Sequence, residues 1–109
     1  MTLIERIEAV RAADHAELDA IDLAIAEWCY TGGAPGLVNY DPEMWLIRNG
    51  GWTRSIDAAV ALAERVVGGD HALTLLQDVL ADHNSGGLAT SDIPLRLCAA
   101  ILRAKEGEG

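Results

Sequence analysis

The sequence predicts an α+β domain in which helices pack on a small, mainly antiparallel sheet. Three observations carry this expectation. A capped, small-residue helix occupies the middle of the chain. Short apolar runs bounded by Asp41-Pro42 and Asn49-Gly50 have the look of strands. Regular Gly-Gly pairs at 32, 50, 68 and 86 punctuate the chain every 18 residues.

The central helix spans Ser55 to Val67. Ser55 is a natural N-cap, because its hydroxyl accepts a hydrogen bond from a free amide of the first turn. Asp57 places negative charge where the helix dipole favours it. Ile56, Ala59, Val60, Ala63, Val66 and Val67 share one face at helical spacing. Gly68 then ends the helix.

Upstream, Thr2-Leu3-Ile4-Glu5 is a capping-box pattern, so a helix begins at once. Asp14-His15-Ala16-Glu17 repeats the signature. Leu18, Ile21, Ile25 and Trp28 extend the apolar stripe, giving one kinked helix or two consecutive ones over 3–29. Thr31 to Gly36 is a Gly-rich loop that lacks the Lys-Ser/Thr ending of a phosphate-binding P-loop. Leu37 to Tyr40 reads as a short strand, and Met44 to Arg48 as a better one. Asn49-Gly50 is a strong hairpin signal, with Trp52-Thr53 pairing back.

The stretch 70–82 is two-sided. Ala72, Leu73, Leu76, Val79 and Leu80 fit a helix capped by Asp70. Leu73, Leu75, Gln77 and Val79 fit a strand, with 82–87 as a hairpin loop into Leu88-Ala89-Thr90. Local periodicity leans to helix, which would leave a mostly α chain with one hairpin. Ser91 or Asp92 caps a final helix, Pro94 suits its first turn, and Leu95, Leu97, Cys98, Ile101 and Leu102 form its apolar side. Residues 106–109 are expected to fray.

The chain has 109 residues, half of them apolar, and a formal net charge of −9. One domain with a real core is expected over 1–109, and disorder is not. No basic run offers a footprint for nucleic acid or an anionic membrane. No apolar run approaches a membrane span and no signal-peptide block opens the chain, so a cytoplasmic location is expected. Cys29 and Cys98 are then buried thiols, with a disulfide between them unneeded.

Three segments resemble one family. They are Leu18-Asp19-Ala20-Ile21-Asp22-Leu23-Ala24-Ile25-Ala26, Trp52-Thr53-Arg54-Ser55-Ile56-Asp57-Ala58-Ala59-Val60-Ala61-Leu62 and Pro94-Leu95-Arg96-Leu97-Cys98-Ala99-Ala100-Ile101-Leu102-Arg103-Ala104. Their order and spacing resemble the phage ABA sandwich domain family, whose middle motif reads roughly Thr-x-Ser-Leu-Asp-Ala-Ala and whose last reads Pro-Ala-Leu-Ala-Leu-Cys-Ala-Ala. The resemblance covers most of 3–104. It implies a small α/β/α sandwich, helices on both faces of the sheet, and a phage or prophage origin. It implies no activity and no catalytic residues. The chain departs from the pattern at 70–90, where the family has Trp-rich strands and this segment has no Trp.

No catalytic, cofactor or metal signature stands out. His15, His71 and His83 lack metal-ligand spacing with each other or with the cysteines. Ser55, Ser85 and Ser91 read as caps and turn residues, and no Gly-x-Ser-x-Gly occurs. Two binding candidates remain. Trp28, Tyr30, Tyr40, Trp45, Arg48, Trp52 and Arg54 gather aromatics and arginines, which either fill core or stack and hold a ligand. Glu17, Asp19, Asp22 and Glu27 form an acidic face, either solvated or turned to a basic partner. The function expected is that of a non-enzymatic phage or prophage accessory protein. It would bind a host or phage protein and inhibit a bacterial defence system, in the manner of an anti-CRISPR protein. Alternatives are a sponge for a nucleotide-derived small molecule, or a self-associating structural protein that forms a homodimer.

Overall fold

The computed structural model describes residues 2–11, 13–34, 36–87 and 89–107. Helices α1 (Leu3–Ala9), α2 (His15–Trp28), α3 (Pro42–Asn49), α4 (Ile56–Val67), α5 (Gly69–Asn84) and α6 (Ile93–Gly107) follow in order. A π-helical turn, Cys29–Gly33, extends α2, and a 3-10 turn, Thr90–Asp92, leads into α6. No strand occurs among the described residues. The expected α+β class, the sheet and the α/β/α sandwich are therefore corrected to an all-helical fold. Pro35, Leu88, Glu108 and Gly109, read above as loop, strand and frayed tail, lie outside the described residues.

The predicted caps on the first two helices form. Thr2 accepts from the Glu5 amide at 3.2 Å while Glu5 accepts from the Thr2 amide at 3.3 Å. Asp14 accepts from the Glu17 amide at 3.2 Å. Ser55 caps α4 through the Ala58 amide, and Gly68 ends it with φ +91°. The buried face of α4 is Ala59, Leu62 and Ala63. That face is rotated from the expected one, because Ile56 points outward and Leu62 inward.

The strand at 44–48 is α3. Asp41 caps it through the Glu43 amide and Pro42 occupies its first turn, where a missing N–H costs nothing. Trp45 and Leu46 are half-buried while Met44 and Ile47 are exposed. Neighbours in sequence share a side here, which alternation in a strand forbids. Asn49-Gly50 ends this helix rather than turning a hairpin. Gly50 takes φ +78° and its amide donates to the Leu46 carbonyl at 2.8 Å. Residues 36–40 form turns and bends, not a strand.

The ambiguous stretch is the interior of α5. Ala72, Leu75, Leu76, Val79 and Leu80 are buried or half-buried, which is helical spacing. The competing strand set fails, since Leu73 is 56% exposed and Gln77 is also exposed. Asp70 sits in the first turn, and Gly68 is the N-cap. Beyond α5, Gly86 takes φ +84° and its amide bonds to the His83 carbonyl, so no hairpin follows.

The last helix organises the core. α6 packs against α1, α4 and α5. Its predicted apolar side, Leu95, Leu97, Cys98, Ile101 and Leu102, is buried throughout. α2 packs against α1 and α3 and supplies Leu18, Ile21, Ile25 and Ala26 to the core. α3 contributes no buried residue. Among the described residues no helix is long and apolar enough to cross a membrane.

Candidate interaction surface

The site is built where α3 lies on α2, and Asp22 is its foundation. Asp22 faces inward from α2 and is only 7% exposed. Its Oδ1 accepts from the Trp52 amide at 2.9 Å and the Thr53 amide at 3.0 Å, and its Oδ2 accepts from the Thr53 hydroxyl at 3.0 Å. Gly51 approaches so closely that an added Cβ would overlap the carboxylate. Trp52-Thr53, expected to pair back in a hairpin, is instead pinned to α2. This docking places Trp52 in the core and stacks it on Trp45, with ring centroids 5.2 Å apart and planes 17° from parallel.

The predicted aromatic–arginine set is thereby divided. Trp45 and Trp52 meet. Trp28 is half-buried and lies against Gly33, where a Cβ would strike its ring. Tyr30 is exposed in the π-helical turn. The Tyr40 hydroxyl accepts from Asn49 Nδ2 at 3.4 Å. Arg48 is exposed in the last turn of α3. Arg54 pairs with Asp19 across the surface.

The acidic set is also divided. Glu17 receives Nε and Nη2 of Arg6 at 3.2 and 2.9 Å. Asp19 holds Arg54, Asp22 is buried and Glu27 is exposed. Two of these four carboxylates tie surface elements together, and one holds a loop.

The sequence reading misses the most exposed apolar feature among the described residues. Ile47 is 78% exposed and Met44 is 44% exposed, three residues apart on the outer side of α3. Beside them runs an open groove of about 510 Å³, lined by Leu23, Leu46, Ile47, Glu43, Asp19 and Gly51 among others. The signal was present in Asp41-Pro42, an N-cap followed by a first-turn proline. Read that way, 42–49 becomes a helix with Met44 and Ile47 on one side.

Among the described residues no group of three or more His, Cys, Asp or Glu is placed to hold a metal ion. Both cysteines are free and buried. Burial pushes the Cys29 thiol up to about 12. Burial first, then the Asp22 carboxylate, push the Cys98 thiol up as well. An unfolded chain ionises its thiols near pH 8.5, whereas the folded chain keeps these two protonated. Above that pH the unfolded state binds fewer protons, so stability present below it is lost as pH rises. Urea unfolding between about pH 8 and 11 should show a slope approaching 1.4 kcal/mol per pH unit for each thiol. A chain carrying Cys29→Ala and Cys98→Ala should show a flatter profile, and an equal slope would contradict the burial argument.

The fold and surface define an all-helical protein with an open apolar groove edged by carboxylates. No family model, no curated protein and no solved structure matches the chain.

Proposed function

We propose that this chain is a non-enzymatic binding protein that acts in the cytoplasm through protein–protein interaction at the α2–α3 face. The observation that carries the reading is the outer side of α3. A helix with no buried residue presents Ile47 and Met44 to solvent beside a groove walled by Leu23 and Leu46. Large apolar side chains clustered at a groove are how partner surfaces are built. The buried free thiols suit a reducing compartment. The phage origin was implied by the sandwich resemblance, and an all-helical chain lends it no support; the anti-defence role was expected from small size, acidity and clustered aromatics, and gains no observation from the fold. The sponge reading gains no observation either, because Trp52 is buried and Arg54 is engaged with Asp19.

Photo-cross-linking in the cells that naturally express the protein tests this. With a photoreactive phenylalanine analogue in place of Ile47, a discrete adduct with another protein is expected. The same probe at Glu64, exposed on α4, should give none. Adducts only between copies of this chain would shift the reading to self-association. No adduct at position 47 would overturn it.

A further inference from the structure

We infer that the groove beside α3 receives a basic amphipathic helix of a partner protein. This rests on the reading of the α2–α3 face as a protein-binding surface and adds the chemistry of what binds there.

The apolar lining of the groove comes from Leu23, Leu46 and Ile47. Three carboxylates line it, Asp19, Asp22 and Glu43, against the one guanidinium of Arg54; Asp19 and Arg54 pair with each other and Asp22 is buried under the 51–53 loop, so Glu43 is the carboxylate that faces a partner. Gly50 carries no side chain and has open space where a Cβ would stand, so a partner can approach the backbone there closely. α3 is eight residues long, about 12 Å at 1.5 Å per residue, a length that meets two turns of a facing helix. A facing helix with apolar residues at i, i+3 and i+4 would fill the trough, and lysine or arginine flanking them would meet Glu43.

Charge decides between the possible occupants. A second copy of this chain brings another net charge of −9 to an acidic groove. An anionic nucleotide-derived ligand meets the same repulsion. A cationic helix gains from both the groove and the long-range field of the whole protein.

The test uses a labelled synthetic helix of about 18 residues, long enough to be helical when bound. One version carries leucine on one side and lysine on the other, and its counterpart carries glutamate in place of lysine. Anisotropy is read at roughly physiological ionic strength, where distant charges are screened. The lysine peptide should bind saturably and the glutamate peptide should not. Ile47→Ser and Glu43→Lys should each weaken binding about tenfold or more. Asp78→Lys changes net charge as much as Glu43→Lys does, but lies on the exposed side of α5, and should leave affinity within about twofold. Equal loss for Asp78→Lys and Glu43→Lys, or no loss for Ile47→Ser, would mean diffuse attraction and overturn the inference. Failure of the lysine peptide to bind would also overturn it. If a cross-link at position 47 to another protein persisted in that case, the protein-binding reading would stand and only the partner's chemistry would fall.

Discussion

Asp22→Ala should lower the stability of this protein by about 3–5 kcal/mol, more than most single substitutions do. The residue is almost fully buried and receives three hydrogen bonds from one short loop. Hydrogen bonds to a charged acceptor contribute about 1.5–3 kcal/mol each, and a buried donor left without a partner carries its own desolvation penalty. Alanine would strip the acceptor from two amides and a hydroxyl at once. The losses overlap, since the loop moves as a unit, so the sum of three separate bonds overstates the effect. Chemical denaturation should show a lower midpoint with an unchanged slope. Asp22→Asn keeps one acceptor oxygen and turns an amide donor toward other donors, so an intermediate loss is expected. A second readout is local: release of the loop separates Trp52 from Trp45, and their stacked signature in near-ultraviolet circular dichroism should fade. An Asp22→Ala variant within about 1 kcal/mol of the parent, with that signature intact, would show that the loop is held by packing alone.

The helices whose ends are marked by caps were legible. Thr2, Asp14 and Ser55 act as the sequence says, because a capping side chain needs only neighbours within three residues. The apolar side of α6 was legible for a similar reason, since its five predicted residues repeat at the spacing of one helix face. No sheet forms among the described residues. Met44 to Arg48 is short, apolar and followed by Asn-Gly, and such a run does not distinguish strand from helix by itself. Asp41-Pro42 held the deciding information and reads equally as a strand breaker. At 72–80 two periods overlap, and the core selects the helical one by burying Ala72 and Val79 while leaving Leu73 in solvent.

The candidate site was legible in its parts but not in its assembly. Trp45 and Trp52 were both singled out, and they do meet. What joins them is Asp22, which in the sequence is one of several acids along α2. Its partners lie 30 and 31 residues away on the loop. Helical spacing puts Asp22 on the apolar stripe, four residues after Leu18 and three before Ile25, while Asp19 and Glu27 lie off it; what no local pattern marks is the loop it binds. The same applies to Ile47: a residue that looks like core in a strand becomes the most exposed large apolar side chain among the described residues once 42–49 is helical.

Gly51→Ala should be nearly as damaging, and its cost should depend on Asp22. A Cβ at position 51 would overlap the Asp22 carboxylate and lie 2.6 Å from its Oδ1. A surface side chain could swing aside, but this carboxylate is short, buried and fixed by three hydrogen bonds. Relief requires the loop to lift off α2, which breaks those bonds and loosens Trp52. Overpacking of this kind costs about 1–3 kcal/mol, and the disturbed hydrogen bonds should carry it to the upper end. With Asp22 replaced by Ala, the overlapping atoms are gone and the bonds already lost, so the same glycine substitution should cost less than about 1 kcal/mol. A double-mutant cycle by urea unfolding therefore should give a coupling of about 2 kcal/mol, the double variant being more stable than additivity allows. Additive losses would mean that the glycine serves backbone conformation and not the approach of loop to carboxylate. A coupling of the expected sign would tie Gly51, Asp22, Trp52 and Thr53 into one unit, of which Gly51 and Asp22 line the groove.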